Sequence, residues 1–320
     1  MDKDKTKWGY IMIAGAVLFF IAVIIISSIL SKEDNTEKNL CMKGTPYEAH
    51  TAILIDTTTP FTQDETTFLK DKIQEIQNAL RQNDLFSIYL ITNIQDTQII
   101  PKQLFSRCRP KSGKEISIIT GAPEDMQKKF DKTFVKPVQD LLIKELPIKE
   151  LPNEKNEGNV NSPIIEAIQG MTHLANFSPG IKERRLIIVS SMLEKSGMIS
   201  HYNNKYSFEE FKTSKGYLEV KPNLKGIDIE VLYIIRPKTV FYQCSRHLSF
   251  WKDVFADSMA NNTKFYKVAG TTSELLNMDN MESTIACKPI PIPIPIPIQP
   301  IHGKSPRIVD LLPTIPNMTQ

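Results

Sequence analysis

Three polar clusters carry residue types from which a binding site could be assembled: Asp56-Thr57-Thr58-Thr59, Asn161-Ser162 and Ser190-Ser191. One carboxylate among several hydroxyls suits a hard divalent cation such as Mg2+, which takes oxygen ligands and keeps some of its waters. The set is poorly suited to zinc, which favours thiolate and imidazole, and to Ser-His-Asp catalysis, which needs a histidine base. His50, His173, His201, His247 and His302 are scattered, pair with no evident nucleophile, and default to structural or solvated roles. A structural reading also stands beside the functional one for each cluster. Asp56 and its threonines can order a turn or cap the next helix, and Ser162 can be an N-cap alone.

The clusters form a site only if the chain brings them to one edge. TAILID (Thr51–Asp56) reads as a buried strand ending on the carboxylate. Leu69, Ile73, Ile76 and Leu80 recur at steps of four, three and four, which predicts a helix over 64–82 with one apolar face. LFSIYLIT is a second strand, and TQIIPKQLF a third, interrupted by Pro101 as an edge strand tolerates. A helix over 123–143 leads into the proline-punctuated loop LPIKELPNEKNEGN; a further helix follows, with Ser162 at its cap and Pro163 in its first turn. RRLIIVSS, IDIEVLYIIR and TKFYKVA supply three more strands. Before the last of them, Leu248, Trp251, Phe255 and Met259 share a helical face, and residues 193–223 form an insertion with a small helix near 207–211. Alternation of strands and helices predicts an α/β fold, a doubly wound, mainly parallel sheet covered on both faces. Ligands of such sheets bind beyond the carboxyl ends of the strands, near the switch in strand order.

Ahead of this region, Trp8–Leu30 contains no charged residue. As a helix it would reach about 34 Å, against a hydrocarbon core of about 30 Å. A cleavable signal peptide is the alternative, but its apolar part is shorter, about 7–15 residues, and no small-x-small site follows Leu30. The expectation is one uncleaved transmembrane helix over 8–30. Lys3, Lys5 and Lys7 favour a cytoplasmic N-terminus over 1–7. Residues 31–50 would be a tether, 51–271 the α/β domain and 272–320 a Pro-Ile-rich tail, in which KPIPIPIPIPIQPI is restricted to polyproline II or extended geometry. That run is a stiff spacer or a ligand for an aromatic-lined groove. The net charge of +3 is spread along the chain, with no basic stripe of the kind nucleic acid requires. Cys41, Cys108, Cys244 and Cys287 all follow the apolar run, where export would oxidise them, and their spacing matches no zinc pattern. Isolated buried thiols are the bland reading. A Cys41–Cys108 disulfide is the expected pairing, because Cys41 precedes the first strand and Cys108 follows an early edge strand.

The three clusters in this order resemble the von Willebrand factor type A fold and its metal-ion-dependent adhesion site. Asp56 and Thr58 match the family's D-x-S-x-S, with Pro60 in place of the last hydroxyl. Ser162, followed by Ala167 and Ile168, matches the second element, and Ser190-Ser191-Met192 stands where Thr-Asp-Gly is usual. The likeness spans 51–268. It is nearest to a bacterial subgroup of single-pass anchored proteins whose first motif reads D-x-T-D-P-L-T, close to DTTTPFT, with counterparts to LFSRCRP and RHLSFWKDVF. The resemblance implies a von Willebrand factor A-like, Rossmann-like domain with a degenerate metal site at Asp56, Thr58, Ser162 and Ser191. Such a site would hold Mg2+ or another divalent cation weakly or not at all. The leading reading is therefore a non-enzymatic, membrane-tethered protein-binding module in the bacterial inner membrane, its domain periplasmic or otherwise extracytoplasmic, as a component of an envelope-spanning assembly. The competing reading is a haloacid dehalogenase-type phosphatase or phosphotransferase, since DTTTPFT also resembles the D-K-T-G-T-L-T of phosphorylated cation pumps. Asp56 would then accept the phosphoryl group. That chemistry needs a late acidic pair, and the late strands end instead in IIRPKT and KVAGTT.

Overall fold

Every residue of Ala49–Asp56 (β1) is buried, as a strand covered on both faces must be. The computed structural model describes residues 15–23, 38–91, 100–117, 119, 121–146, 160–203, 206–237 and 239–276. Leu85–Ile91 (β2), Lys102–Cys108 (β3), Glu183–Ser190 (β4), Ile227–Ile234 (β5), Asn262–Ala269 (β6) and Thr272–Leu275 (β7) join β1 in one sheet of order β3-β2-β1-β4-β5-β6-β7. β2, β1, β4, β5 and β6 run parallel, whereas the two edge strands, β3 and β7, are antiparallel to their neighbours. Pro101 lies just before β3, so its missing N–H costs the ladder nothing.

Gln63–Ala79 (α1) opens on a capping box. Thr62 Oγ1 accepts from Glu65 N at 3.2 Å, and Glu65 Oε2 accepts from Thr62 N at 2.8 Å. Its buried Leu69, Ile73 and Ile76 pack on one sheet face with Ile53 and Ile55. Pro123–Phe130 (α2) and Lys136–Glu145 (α3) cover the same face and are joined by a π-helical turn, Asp131–Val135. Pro137 explains this turn: it has no N–H for the Thr133 carbonyl, which accepts from Arg107 Nη1 at 2.7 Å instead. Ile164–Thr172 (α4), Phe208–Phe211 (α5), Lys215–Val220 (α6) and Ser245–Asp257 (α7) cover the opposite face, where Leu54, Ile188, Trp251 and Phe255 meet. The sheet is thus doubly wound, as the alternation of elements predicts.

Several local expectations are corrected. The helix α1 ends earlier than 82, with Leu80 as its C-cap, although Leu80 still packs half-buried on the same core as Leu69, Ile73 and Ile76. Met259 lies past the end of α7, 55% exposed and in the left-handed region at φ 63°. The sheet also outruns the expected domain edge at 271, because β7 follows it and Leu276 is buried in the core. On the amino-terminal side, Cys41 and Cys108 are disulfide-bonded as expected, and Cys108 N donates to Asn39 O at 2.9 Å, which fixes the segment before β1 to the end of β3. Cys244 is disulfide-bonded too. Among the described residues no helix is long and apolar enough to cross a membrane. Residues 15–23 of the apolar run are helical, and the rest of the expected 8–30 span lies outside the described residues, as does the Pro-Ile run.

Candidate functional site

Asp56, the last residue of β1, is 4% exposed, and each of its carboxylate oxygens accepts two hydrogen bonds. Oδ1 accepts from Thr58 N at 3.0 Å and from Thr58 Oγ1 at 2.6 Å. Oδ2 accepts from Ser162 Oγ at 3.1 Å and from Ser190 Oγ at 2.7 Å. The sequence-predicted Asp56, Thr58 and Ser162 therefore meet, but their fourth member is Ser190 and not Ser191. The reason is the alternation of side chains along a strand. Ala52 and Leu54 of β1 and Leu186 and Ile188 of β4 face α4, so Asp56 and Ser190 continue the same rows. The Ser191 hydroxyl instead lies 3.5 Å from Leu193 N. Ser190 Oγ also accepts from Met192 N at 2.8 Å, and Met192 adopts φ 58°, a left-handed conformation uncommon for a side chain of its kind.

Ser162 does not cap α4. Pro163 occupies that position without a side-chain bond, and the Ser162 hydroxyl is committed to Asp56. The free amides of the first turn are satisfied from far along the chain, where Glu194 Oε2 accepts from Ile164 N at 2.8 Å and Ile165 N at 3.1 Å. Glu194 Oε1 and Glu166 Oε2 are buried without a hydrogen-bond partner. Burial, then the neighbouring Glu166 charge, pushes the Glu194 carboxyl well above the usual carboxylate range, and burial raises Glu166.

Arg236, just beyond β5, closes the site on its other side. Its guanidinium donates to Thr59 Oγ1, to Pro60 O at 3.0 Å, and to Glu65 Oε1 and Oε2 at 3.3 and 3.4 Å. Both charged side chains are buried, at 5% and 7% exposure, so the pair compensates two charges that neither could carry alone. Arg236 N further donates to Gln243 Oε1 at 3.4 Å, and Gln243 Nε2 donates to Ser191 O at 3.0 Å and Ile234 O at 2.7 Å. Glu194 and Arg236 escaped sequence reasoning; the one available signal was a charged residue just past a buried strand.

No family model matches this chain, and no curated protein matches it. Solved structures similar to it include the conserved hypothetical protein BatB from Bacteroides thetaiotaomicron, 16% identical over 59% of this chain and 68% of that one, with a TM-score of 0.29. They also include a von Willebrand factor type A protein from Catenulispora acidiphila, 8% identical over 67% of this chain and 43% of that one, with a TM-score of 0.30.

The residues present do not fit a tightly held divalent cation. Asp56 is the only carboxylate in its cluster, and its roughly four acceptor positions are filled. Pro60 offers no hydroxyl, the Thr59 hydroxyl accepts from a guanidinium, and Ser191 faces away. Among the described residues no group of three or more His, Cys, Asp or Glu converges.

Behind the site, the Met192 carbonyl accepts from Trp251 Nε1 at 2.7 Å and from His247 Nε2 at 2.9 Å, which leaves His247 Nδ1 to accept from Tyr233 Oη at 2.7 Å. Burial lowers His247 to about 3 and His201 well below its usual value, so both are neutral. His50, bonded to Ser87 Oγ at 2.9 Å and to Asn176 O, is lowered by burial to about 4.

Proposed function

We propose that this chain is a membrane-tethered, extracytoplasmic protein-binding module, a component of an envelope-spanning assembly, that engages its partner at the carboxyl end of the sheet. The observation that carries the reading is the convergence of Asp56, Thr58, Ser162 and Ser190 where the strand order reverses between β1 and β4, the usual ligand end of such sheets. Val240 and Phe241, each 38% exposed in the segment between β5 and α7, add apolar surface close to Gln243 and thus to Ser191. Tethering is supported by the uncharged run Trp8–Leu30 and by Val17, Leu18, Phe19 and Phe20, which are all exposed.

Phosphoryl transfer through Asp56 is the less favoured reading. A nucleophilic carboxylate needs an oxygen free to attack, and both Asp56 oxygens are engaged. We therefore propose no catalytic activity, and no dependence of partner binding on a tightly held cation.

A photoreactive residue at Ser191 tests the binding end in native membranes. It is expected to cross-link a protein partner, whereas the same group at Lys182, before β4 at the opposite end of the sheet, is not. Cross-links from Lys182 alone would move the binding surface elsewhere. The tether is tested separately by a reporter fused after Gln320: activity only from a cytoplasmic reporter would overturn the topology.

A further inference from the structure

We propose that Arg236 is a positioning residue that does for the β1–α1 loop what a bound cation would do at a metal-dependent site, so that the loop is ordered without any divalent ion. The loop, residues 57–62, leaves β1 beyond Asp56 and presents the Thr59 hydroxyl and the Pro60 carbonyl to Arg236, beside the buried Glu65 carboxylate in the first turn of α1, which needs a positive partner there. One guanidinium meets all three. A planar fork with five donors can do this where a lysine ammonium cannot match the geometry. The same residue reaches the exit of β4 through its backbone, since Arg236 N bonds Gln243 and Gln243 bonds Ser191 O.

Two hubs therefore divide the work. Asp56 gathers the hydroxyls of Thr58, Ser162 and Ser190, and Arg236 holds Thr59, Pro60 and Glu65. Each hub satisfies the groups around it from within the chain, and Glu65 is shared with the capping box of α1, so the start of that helix is fixed by the same contact. A cation would have to displace hydroxyl donors from Asp56 and would sit in the field of a guanidinium.

Hydrogen exchange of the full chain, read by mass spectrometry on peptides covering 57–62, tests it. In the native protein, loop exchange is expected to be the same in chelator and in about 10 mM magnesium chloride, because protection reports local opening that magnesium does not oppose. In Arg236→Met/Glu65→Gln, which removes both buried charges together, the loop is expected to exchange about tenfold faster or more while β1 and β4 keep their protection. Should that double variant lose protection throughout, Arg236→Lys decides, since it keeps the charge but not the fork: a faster loop over an intact sheet supports the proposal. Native loop protection that arises only with magnesium overturns it. So does a loop in Arg236→Lys or in a folded double variant that exchanges as in the native protein.

Discussion

Ser190 Oγ donates to Asp56 Oδ2 at 2.7 Å across the boundary between β4 and β1, and the same oxygen accepts from Met192 N at 2.8 Å. One hydroxyl thus links the carboxylate at the end of the first strand to the left-handed turn that leads out of the fourth. Because the Met192 carbonyl then receives Trp251 and His247, the polar site and the aromatic core behind it share a single short segment of chain.

Ser190→Ala should therefore be costly where Ser191→Ala is not. The first leaves a buried carboxylate oxygen and a buried amide each short of a partner, a loss of about 1–3 kcal/mol. The second removes only a contact of 3.5 Å and should stay within about 0.5 kcal/mol. Urea unfolding of the two variants measures the difference, and equal midpoints would mean that the Ser190 bond contributes nothing.

Much of the architecture was legible because each core strand is a short apolar run and each helix has a periodic face. RRLIIVSS and IDIEVLYIIR could hardly be anything other than strands. The first half of the site was legible for the same reason: Asp56 ends a run that has to be buried. The choice between Ser190 and Ser191 was also in the sequence, in the alternation of β4, but only once the register Ile55↔Val189 is known. Glu194 and Arg236 were not legible. Their partners lie 30 and 171 residues away, and no local pattern announces a carboxylate that caps a distant helix or a guanidinium that holds a distant loop. Met259 was misplaced because the apolar periodicity runs on past the end of α7 at Asp257, to a residue whose own backbone is left-handed.

Non-reducing peptide mapping is expected to recover Cys41 joined to Cys108, with Cys244 in a second bridge. The 67-residue separation gives the first bridge about 4 kcal/mol by chain entropy, so Cys41→Ser/Cys108→Ser should lose on that order in unfolding free energy. A loss below about 1 kcal/mol would mean that the contacts of Asn39 with Cys108 hold the segment before β1 unaided.

The pH dependence of stability should have two opposed arms. His50, His201 and His247 are lowered by burial, so what they contribute is complete above the ordinary histidine value and is lost as pH falls toward about 4 for His50 and about 3 for His247. Glu194 and Glu166 are raised, again by burial first, so their contribution is complete below the ordinary carboxylate value and is lost as pH climbs through the raised ones. Among the described residues no cationic side chain forms an ion pair with either glutamate, and their unpartnered oxygens, Glu194 Oε1 and Glu166 Oε2, are both buried. Protonation of either carboxyl removes a charge that burial penalises. Glu194→Gln separates the arms. Its amide oxygen can still accept from Ile164 N and Ile165 N, and the side chain carries no charge to bury at any pH. Urea midpoints followed from acid to mildly alkaline pH should therefore show the native protein losing stability on the alkaline side and Glu194→Gln losing less, with the acid arm unchanged. An alkaline arm equally steep in both proteins would place the responsible proton on another group.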